Sequence, residues 1–356
     1  MAKPHVVELR DGAGQPIGWV LNAAGARRHL WSGTELTPRC QYSRVVRRAR
    51  NGASTETTLP AEELSALDKF VEILSCHRRD IQRVLGDEDD LECESVEQAD
   101  DEVSMCWRLS RDDFTKKSAG LYDERVTVED VMRVCNTVVT NDSNCVRVLD
   151  AFDDSFYIPR HSAFVMSDVS QVDLLFQTRP DSGFDLIVAD PPWDNKSVHR
   201  SKVYPTMRHN RLLQLPVGNL LNPREGVVAV WVTNDPKLRR FVETELFPSW
   251  GVRRCGIWFW LKLSPDFDPV SDIRCGHHKP YEQLVIGCRP DVVPALCSRA
   301  VIASRPEAHS QKPIIDRLLG DQYPRKLELF ARNLKPGWVS WGNEPLKFQS
   351  NAQFPV

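Results

Sequence analysis

The chain has 356 residues, 41% of them hydrophobic and 27% charged, and its formal net charge is −3 at pH 7. This length is sufficient for one large or two modest domains, and the composition is typical of a soluble globular protein. No apolar run approaches the roughly 18–20 residues of a membrane span, and the N-terminus lacks the apolar core of a signal peptide, so the ten cysteines are predicted to be reduced thiols.

The net charge hides an asymmetry along the chain. Residues 87–102 contain ten acidic side chains and no basic one, so the remainder carries −3 + 10 = +7. A moderately basic body is compatible with nucleic-acid binding, although charge alone does not establish it. The acidic run repels itself and lacks apolar mass, which predicts a mobile loop; docking of a basic partner or mimicry of nucleic acid is the alternative.

The N-terminal part, residues 1–145, is predicted to be a helical or mixed region. Apolar residues recur at three- and four-residue steps from Pro60 to Leu85, which predicts an amphipathic helix that ends at Gly86. A second helix is predicted over 126–139. No catalytic constellation is present in this part, so we expect it to widen or clamp a site built elsewhere.

From about residue 146 the pattern changes to short apolar strands separated by polar or helical stretches. Helices are predicted at roughly 208–220, 236–246 and 312–320. Strands are predicted at 146–149, 163–166, 184–189, 226–233, 256–263, 284–288, 301–303, 327–330 and 338–341. This alternation indicates an α/β fold, with a mostly parallel sheet and crossover helices over residues 146–350.

One of these strands ends in an unusual turn. The apolar run 184–189 is followed by Asp190, Pro191, Pro192 and Trp193. Ligands of open α/β sheets bind outside the carboxyl ends of such strands, and the two prolines stiffen the turn there. We interpret the Asp190 carboxylate and the Pro191 carbonyl as acceptors for the two hydrogens of an exocyclic amine, with Trp193 as a wall for its ring.

Two neighbouring features complete the predicted substrate site. Trp231 ends another predicted strand, and we expect it either to close the pocket opposite Trp193 or to pack in the core. A polar and basic loop follows the motif and is predicted to contact nucleic-acid phosphates, ribose or base edges; a solvated loop is the alternative. The substrate residues predicted in this loop are Asn195, Lys196, Ser197, His199 and Arg200.

These residues carry a family resemblance. The Asp-Pro-Pro-Trp motif after an apolar strand resembles that of the adenine-N6 methyltransferases that use S-adenosylmethionine. The stretch 194–201 is similar to the eukaryotic methyltransferase-like-four branch in particular. The resemblance covers about residues 160–348. It implies a Rossmann-like methyltransferase sheet with permuted motif order, in which the C-terminal strands supply part of the cofactor site.

The same resemblance implies which residues bind the cofactor. Asp168 and Val169, after a predicted strand, match the acidic position near the cofactor's adenine, and Lys279 is placed to reach the methionine carboxylate. Asp190 borders both the cofactor and the substrate. The residues expected to line the ribose and amino-acid ends of the cofactor are Phe330, Arg332, Asn343 and Glu344.

The expected activity is methyl transfer from S-adenosylmethionine to N6 of adenine in nucleic acid. The branch implies RNA, including 2′-O-methyladenosine in spliceosomal small nuclear RNA, and DNA is the alternative. A catalytically inactive subunit that binds RNA or activates a partner is the alternative of another class. The resemblance implies a nuclear or, second, a cytosolic location. The sequence requires no partner protein and is compatible with a monomer, and it leaves the oligomeric state open.

No metal site is predicted. Cys275, His277, His278 and Cys288 have the atoms that zinc prefers, but their spacing lacks a Cys-x-x-Cys knuckle.

Overall fold

The computed structural model describes residues 6–21, 59–85, 128–193, 207, 209–275, 279–294, 296–307, 311–315, 318 and 322–354. Over these residues the strands are β1 (Val6–Arg10), β2 (Pro16–Leu21), β3 (Val138–Asn141), β4 (Arg147–Ala151), β5 (Asp154–Ile158), β6 (Ser162–Met166), β7 (Leu186–Ala189), β8 (Val227–Val232), β9 (Arg253–Lys262), β10 (Tyr281–Cys288), β11 (Arg299–Ser304), β12 (Lys326–Leu329) and β13 (Trp338–Gly342).

The helices are mostly short. They are α1 (Ala61–Leu85), α2 (Val128–Val134), α3 (His209–Leu212), α4 (Val217–Leu220), α5 (Pro236–Phe241) and α6 (Phe247–Ser249), with a π turn at Val242–Leu246 and 3₁₀ turns at Val169–Gln177 and Asn351–Gln353. None of the helices in the described ranges is both long and apolar enough to cross a membrane.

Eleven of the strands form one sheet in the order β1-β2-β11-β9-β10-β8-β7-β12-β13-β6-β3. Its central run, β8-β7-β12-β13-β6, is parallel throughout. We call the edge of the sheet at which these five strands end the carboxyl edge. Antiparallel pairs join β10 to both β8 and β9, and β3 to β6. The predicted α/β class with a mostly parallel sheet is therefore confirmed.

The sheet order explains why the predicted motif order is permuted. Strands β12 and β13 come last in the chain, yet they lie between β7, which carries the motif, and β6. Strands β1, β2 and β3, which come from the predicted N-terminal region, belong to the same sheet. The division of the chain at residue 145 stays a prediction, and the sheet includes strands from both sides of it.

The predicted helix over 60–85 is confirmed as α1, which packs on the face of the sheet formed by β2, β9 and β11. Its buried stripe includes Leu67, Phe70 and Leu74. The close approach depends on Gly18 in β2, because a Cβ there would lie 2.1 Å from the Val301 carbonyl oxygen and 2.7 Å from the Phe70 ring. Only glycine fits that contact.

Three predicted helices differ, at least in part, from the structure. The helix predicted over 126–139 ends at Val134, because Asn136 has a φ of +55° and the chain continues as β3. Left-handed backbone of this kind ends helices. The helix predicted over 208–220 is divided into α3 and α4 by Pro216, whose ring cannot continue a preceding helical turn. The helix predicted over 312–320 is not formed at its start, because residues 311–315 are irregular.

An ion pair between the buried Asp185 carboxylate and the partly exposed Arg325 holds the start of the motif strand. Asp185, which directly precedes β7, is 2% exposed and accepts hydrogen bonds from Arg325 Nε at 2.8 Å and from Asn222 Nδ2 at 2.8 Å. Although burial opposes ionisation, the bonds from Arg325 and Asn222 lower the pKa of the Asp185 carboxyl below its ordinary value. The pair joins β7 to β12 and to the segment before β8.

We expect Asp185→Asn to lower the free energy of unfolding at pH 7 by about 1.5–3 kcal/mol, as for a hydrogen-bonded buried charge. Because the pKa of Asp185 is lowered in the folded state, its contribution is present above the ordinary pKa of 3.8 and is lost as the pH falls through the folded value. Urea unfolding at pH 7, 5 and 3, beside the exposed control Asp181→Asn, measures this. A difference that is the same at all three pH values would contradict the assignment.

Candidate active site

The carboxyl edge collects residues that are distant in the chain. Each of four neighbouring parallel strands ends next to a predicted site residue: Asp190 after β7, Phe330 after β12, Asn343 after β13 and Asp168 two residues after β6. Because these strands are parallel neighbours, their ends lie side by side, where α/β sheets bind ligands. Strands β12 and β13, the last in the chain, therefore end beside the motif at the carboxyl edge.

Cations surround the Asp190 carboxylate. Its Oδ1 lies 3.3 Å from Lys312 Nζ, and its Oδ2 lies 3.9 Å from Arg332 Nη1. Lys312 Nζ also lies 3.0 Å from Glu282 Oε2, and Glu282 pairs with Lys262 at 2.6 Å. A row of alternating charges thus runs along the carboxyl edge from the end of β9 to the motif.

The charges of this row stabilise one another. Burial by itself lowers the pKa of the Lys312 ammonium, but Asp190 and Glu282 raise that pKa above its ordinary value. Burial also opposes ionisation of Glu282, yet Lys312 and Lys262 lower the pKa of the Glu282 carboxyl to about 2. Lys312 and Glu282 are therefore both charged at neutral pH, and Lys312 presents its charge to Asp190.

Backbone hydrogen bonds close the turn after Asp190. The Trp193 N–H donates to the Pro191 carbonyl at 2.8 Å, and the Met207 N–H donates to the Pro192 carbonyl at 3.1 Å. Since a carbonyl has two lone pairs, Pro191 keeps one for a ligand. The Trp193 indole is 5% exposed, and its Nε1 donates to the Trp231 carbonyl at 2.8 Å. The indole anchors the turn, and the flat face predicted to contact a base is packed inside the protein.

Trp231 and Trp193 do not face each other. In β8, Val230 and Val232 share the core cluster of Trp193, whereas Trp231 packs in the cluster on the other side of the sheet, with its ring 6.2 Å from that of Trp260. Of the two alternatives predicted for Trp231, the structure therefore shows packing in the core and not a pocket opposite Trp193, because side chains alternate between faces along a strand. Trp231 instead lines the cavity of Asp190, with Lys312 Nζ 5.9 Å from its ring centroid.

Residues that follow β12 continue this cavity, and residues that follow β13 contact them. Phe330, with a φ of +63°, packs its ring 5.5 Å from that of Trp341, and it lines the cavity together with Arg332. Arg332 Nε lies 3.8 Å from Glu344 Oε2, and Glu344 is buried. Asn343, between β13 and Glu344, is half-buried. Cations, carboxylates and an aromatic ring thus meet within one cavity.

The other predicted cofactor residues lie on both sides of this group. Asp168 accepts a hydrogen bond from the Ser170 N–H at 2.9 Å and caps the 3₁₀ turn that begins at Val169. Lys279 Nζ lies 5.9 Å from the ring centroid of Tyr281, and burial lowers the pKa of its ammonium. The lysine found in contact with Asp190 is Lys312, which was not among the predicted cofactor residues.

Sequence reasoning missed the roles of Lys312 and Glu282. Both belong to segments that the resemblance covers. However, the contacts of Lys312 with Asp190 and with Glu282 join the segment 311–315 to the end of β7 and the start of β10, which are far apart in the chain, so spacing does not reveal them. The predicted loop residues Asn195, Lys196, Ser197, His199 and Arg200 lie outside the described residues, and their role stays a prediction.

The possible zinc ligands give no site in the described ranges. His277 and His278 lie outside them, and the residues inside them contain no group of three or more His, Cys, Asp or Glu that is placed to hold a metal ion.

The sheet order and the Asp-Pro-Pro-Trp turn define a Rossmann-like methyltransferase domain of permuted motif order. Residues 184–344 match the MT-A70 family. The matched residues include β7 to β13 and the charges around Asp190.

Curated relatives share this domain. The chain is 36% identical over 242 residues to the N(6)-adenine-specific methyltransferase METTL4 of Homo sapiens, covering 64% of this chain and 50% of that protein. It is 37% identical over 221 residues to the N6-methyladenosine RNA methyltransferase MTA1 of Pyricularia oryzae, covering 58% of each. It is 37% identical over 209 residues to the DNA N6-methyl methyltransferase of Caenorhabditis elegans, covering 56% of this chain and 55% of that protein. The matches thus span about half the length of each relative.

Proposed function

We propose that this protein is an S-adenosylmethionine-dependent adenine-N6 methyltransferase that acts on nucleic acid. The observation that carries the proposal is the position of Asp190, at the carboxyl end of β7 between Lys312 and Arg332 and directly before the stiff Pro191-Pro192 turn. The names of the relatives, all adenine or adenosine N6-methyltransferases, support the same chemistry.

The residues of the cavity fit S-adenosylmethionine, which would supply an electrophilic methyl group. Lys312 and Arg332 provide positive charge for a carboxylate, Glu344 provides negative charge for an ammonium, and Phe330 provides an apolar surface. After the neighbouring strands β6 and β13, Asp168 with Val169 and Asn343 with Glu344 offer hydrogen-bonding groups for ribose and adenine. A zwitterionic nucleoside is the class of ligand that this donor set suits.

The amine of the target adenine would be oriented by the motif itself. Asp190 and the second lone pair of the Pro191 carbonyl would each accept one N–H, which directs the nitrogen lone pair away from both acceptors. Their negative charge would stabilise the positive charge that grows on nitrogen, and the closed turn keeps them in place beforehand. Trp193 supports this geometry through its bond to the Trp231 carbonyl.

RNA is the proposed substrate, with adenosine or 2′-O-methyladenosine, as in spliceosomal small nuclear RNA, as the target. The resemblance to the methyltransferase-like-four branch and the name of the Pyricularia oryzae relative support RNA. DNA is the second candidate, which the name of the Caenorhabditis elegans relative favours. The predicted loop 195–200 is where contacts to the 2′ position are expected. We also propose a nuclear location.

A four-substrate methylation assay tests this function. Oligonucleotides of one sequence are compared as single-stranded RNA, the same RNA with a 2′-O-methyl group on the target adenosine, single-stranded DNA and duplex DNA. We expect transfer to N6 in both RNAs and least transfer to the duplex, because a paired base must first be flipped out. Transfer to DNA alone would select the second candidate. Calorimetric binding of S-adenosylmethionine without transfer to any substrate would favour an inactive subunit.

A further inference from the structure

A buried ion-pair network joins the N-terminal helix to the methyltransferase domain. Glu63 in α1 has a side chain that is 3% exposed, and its carboxylate forms a two-point contact with Arg239 of α5, at 2.5 Å from Nη1 and 2.7 Å from Nη2. Arg254 of β9 lies 3.2 Å from the same carboxylate, and Arg239 also donates to Gln283 of β10 at 3.2 Å. One acidic residue of α1 therefore contacts α5 and β9 directly and is linked to β10 through Arg239.

This network specifies geometry more than it adds stability. The desolvation of a buried ion pair offsets most of its attraction, so such a pair is weak evidence of a gain in stability. A two-point contact between a carboxylate and a guanidinium does, however, restrict the relative orientation of the elements that carry it. Glu63 thus sets how α5 lies against β9 and β10.

A chain of ring contacts leads from α5 to the motif. Phe241, two residues after Arg239, has its ring 5.2 Å from that of His209 in α3. The His209 ring in turn lies 5.6 Å from the Trp193 indole, which it meets edge to face. Trp193 closes the turn after Asp190 through its own N–H groups. A shift of α5 would therefore reach the motif through these packed rings.

We propose that Glu63 is a positioning residue for the Asp-Pro-Pro-Trp turn, acting through Arg239, Phe241 and His209 on Trp193. The N-terminal helix α1 then helps to hold the active site in place. The contact between Glu63 and Arg239 would be the means by which the N-terminal part clamps the site, as expected from the sequence. The effect on the turn is independent of the reaction, whereas the effect on catalysis rests on the proposed function.

The test compares Glu63→Gln with Glu62→Gln. Glu62 is the adjacent residue of α1, but its side chain is 82% exposed and its contact with Arg299 at 3.1 Å lies at the surface. Mass spectrometry measures hydrogen exchange at the amides of Trp193 and Met207, which donate to carbonyls of the turn, and at the amides of β13 and β6. We expect exchange at the turn to be at least about tenfold faster in Glu63→Gln, with β13 and β6 unchanged, and no effect of Glu62→Gln.

A second variant covers the case in which Glu63→Gln does not fold. Phe241→Leu keeps an apolar side chain in α5 but removes the ring contact with His209, and we expect it to accelerate exchange at the same amides. On the RNA substrate both variants should lower kcat about tenfold, with the dissociation constant for S-adenosylmethionine within twofold of the wild-type value.

The outcomes separate the two proposals. Equal exchange at the turn in Glu63→Gln and Glu62→Gln, or faster exchange spread evenly over the whole sheet, would overturn the positioning role and leave Glu63 as an ordinary structural contact. Faster exchange confined to the turn, in a protein whose wild type methylates none of the four substrates, would support the positioning role and reject the proposed function.

Discussion

Replacing Asp190 with Asn is expected to lower kcat for methyl transfer to an adenine-containing RNA by about 10²–10³-fold, the usual effect of removing one preorganised electrostatic group. The Asn side chain has the same shape, so the backbone bond from residue 190 to the Leu329 carbonyl at 3.3 Å should persist. The amide, however, has no charge and carries two N–H donors of its own. It would stabilise the growing positive charge poorly and repel the amine if its nitrogen faced the substrate.

Single-turnover kinetics with saturating S-adenosylmethionine measure this step without interference from product release. Asp181→Asn, at an exposed position before β7, is the matched control and should retain the wild-type rate. A rate for Asp190→Asn within tenfold of the wild-type rate would contradict the role proposed for this carboxylate. A loss of the folded state in circular dichroism would require the same comparison with Asp190→Glu, which keeps the charge and displaces it.

The second large effect is expected from Lys312→Met. This change removes the cation between the half-buried carboxylates of Asp190 and Glu282, which keep Arg332 and Lys262 as their other cations. We therefore expect a cost below the roughly 3–5 kcal/mol of breaking a fully buried pair. Lys312 also supplies positive charge to the proposed cofactor site. We therefore expect both a lower free energy of unfolding at pH 7 and a large loss of S-adenosylmethionine affinity.

The pH dependence and a double variant separate these two contributions. The Glu282 carboxyl has a lowered pKa in the folded state, so its stabilising contribution is present above the ordinary value of 4.5 and is lost as the pH falls toward about 2. The stability difference between wild type and Lys312→Met should therefore shrink over that window. Adding Glu282→Gln should recover stability at pH 7 but not cofactor binding. If the double variant is no more stable than the single one, Glu282 and Lys312 are not coupled as the structure indicates.

Much of the fold could be predicted because its signals are local. The stripe of α1 follows the helical period within one continuous segment, and β7 with its Asp-Pro-Pro-Trp turn is an apolar run followed by stiff residues. Errors arose where a local pattern was ambiguous. The valines at 138 and 139 fit either a helix or a strand, and pairing of β3 with β6 decided between them. Likewise, the span 208–220 is apolar enough for one helix, but Pro216 divides it.

The sequence indicates which segments contribute to the candidate site, but it does not indicate how their side chains contact one another. The motif and the closing segments at 327–332 and 338–344 indicate a methyltransferase-like edge, and the sheet order places them together. The contact of Lys312 with Asp190 and the separation of Trp231 from Trp193 had no local signal. Both depend on which strand ends are neighbours and on which face each side chain occupies.

By itself the sequence indicated the chemical character of this protein: a rigid Asp-Pro-Pro-Trp turn after an apolar strand, an order of segments that resembles the adenine-N6 methyltransferases, and a separate amphipathic helix. Only the tertiary structure decided how these parts act on one another. Strand register placed Trp231 beside Lys312 and away from Trp193, and the packing of α1 placed Glu63 on Arg239. The reason is physical: the turn and the helix follow from interactions between residues close in the chain, whereas charge pairing and the choice of sheet face follow from contacts between strands that the chain brings together only on folding.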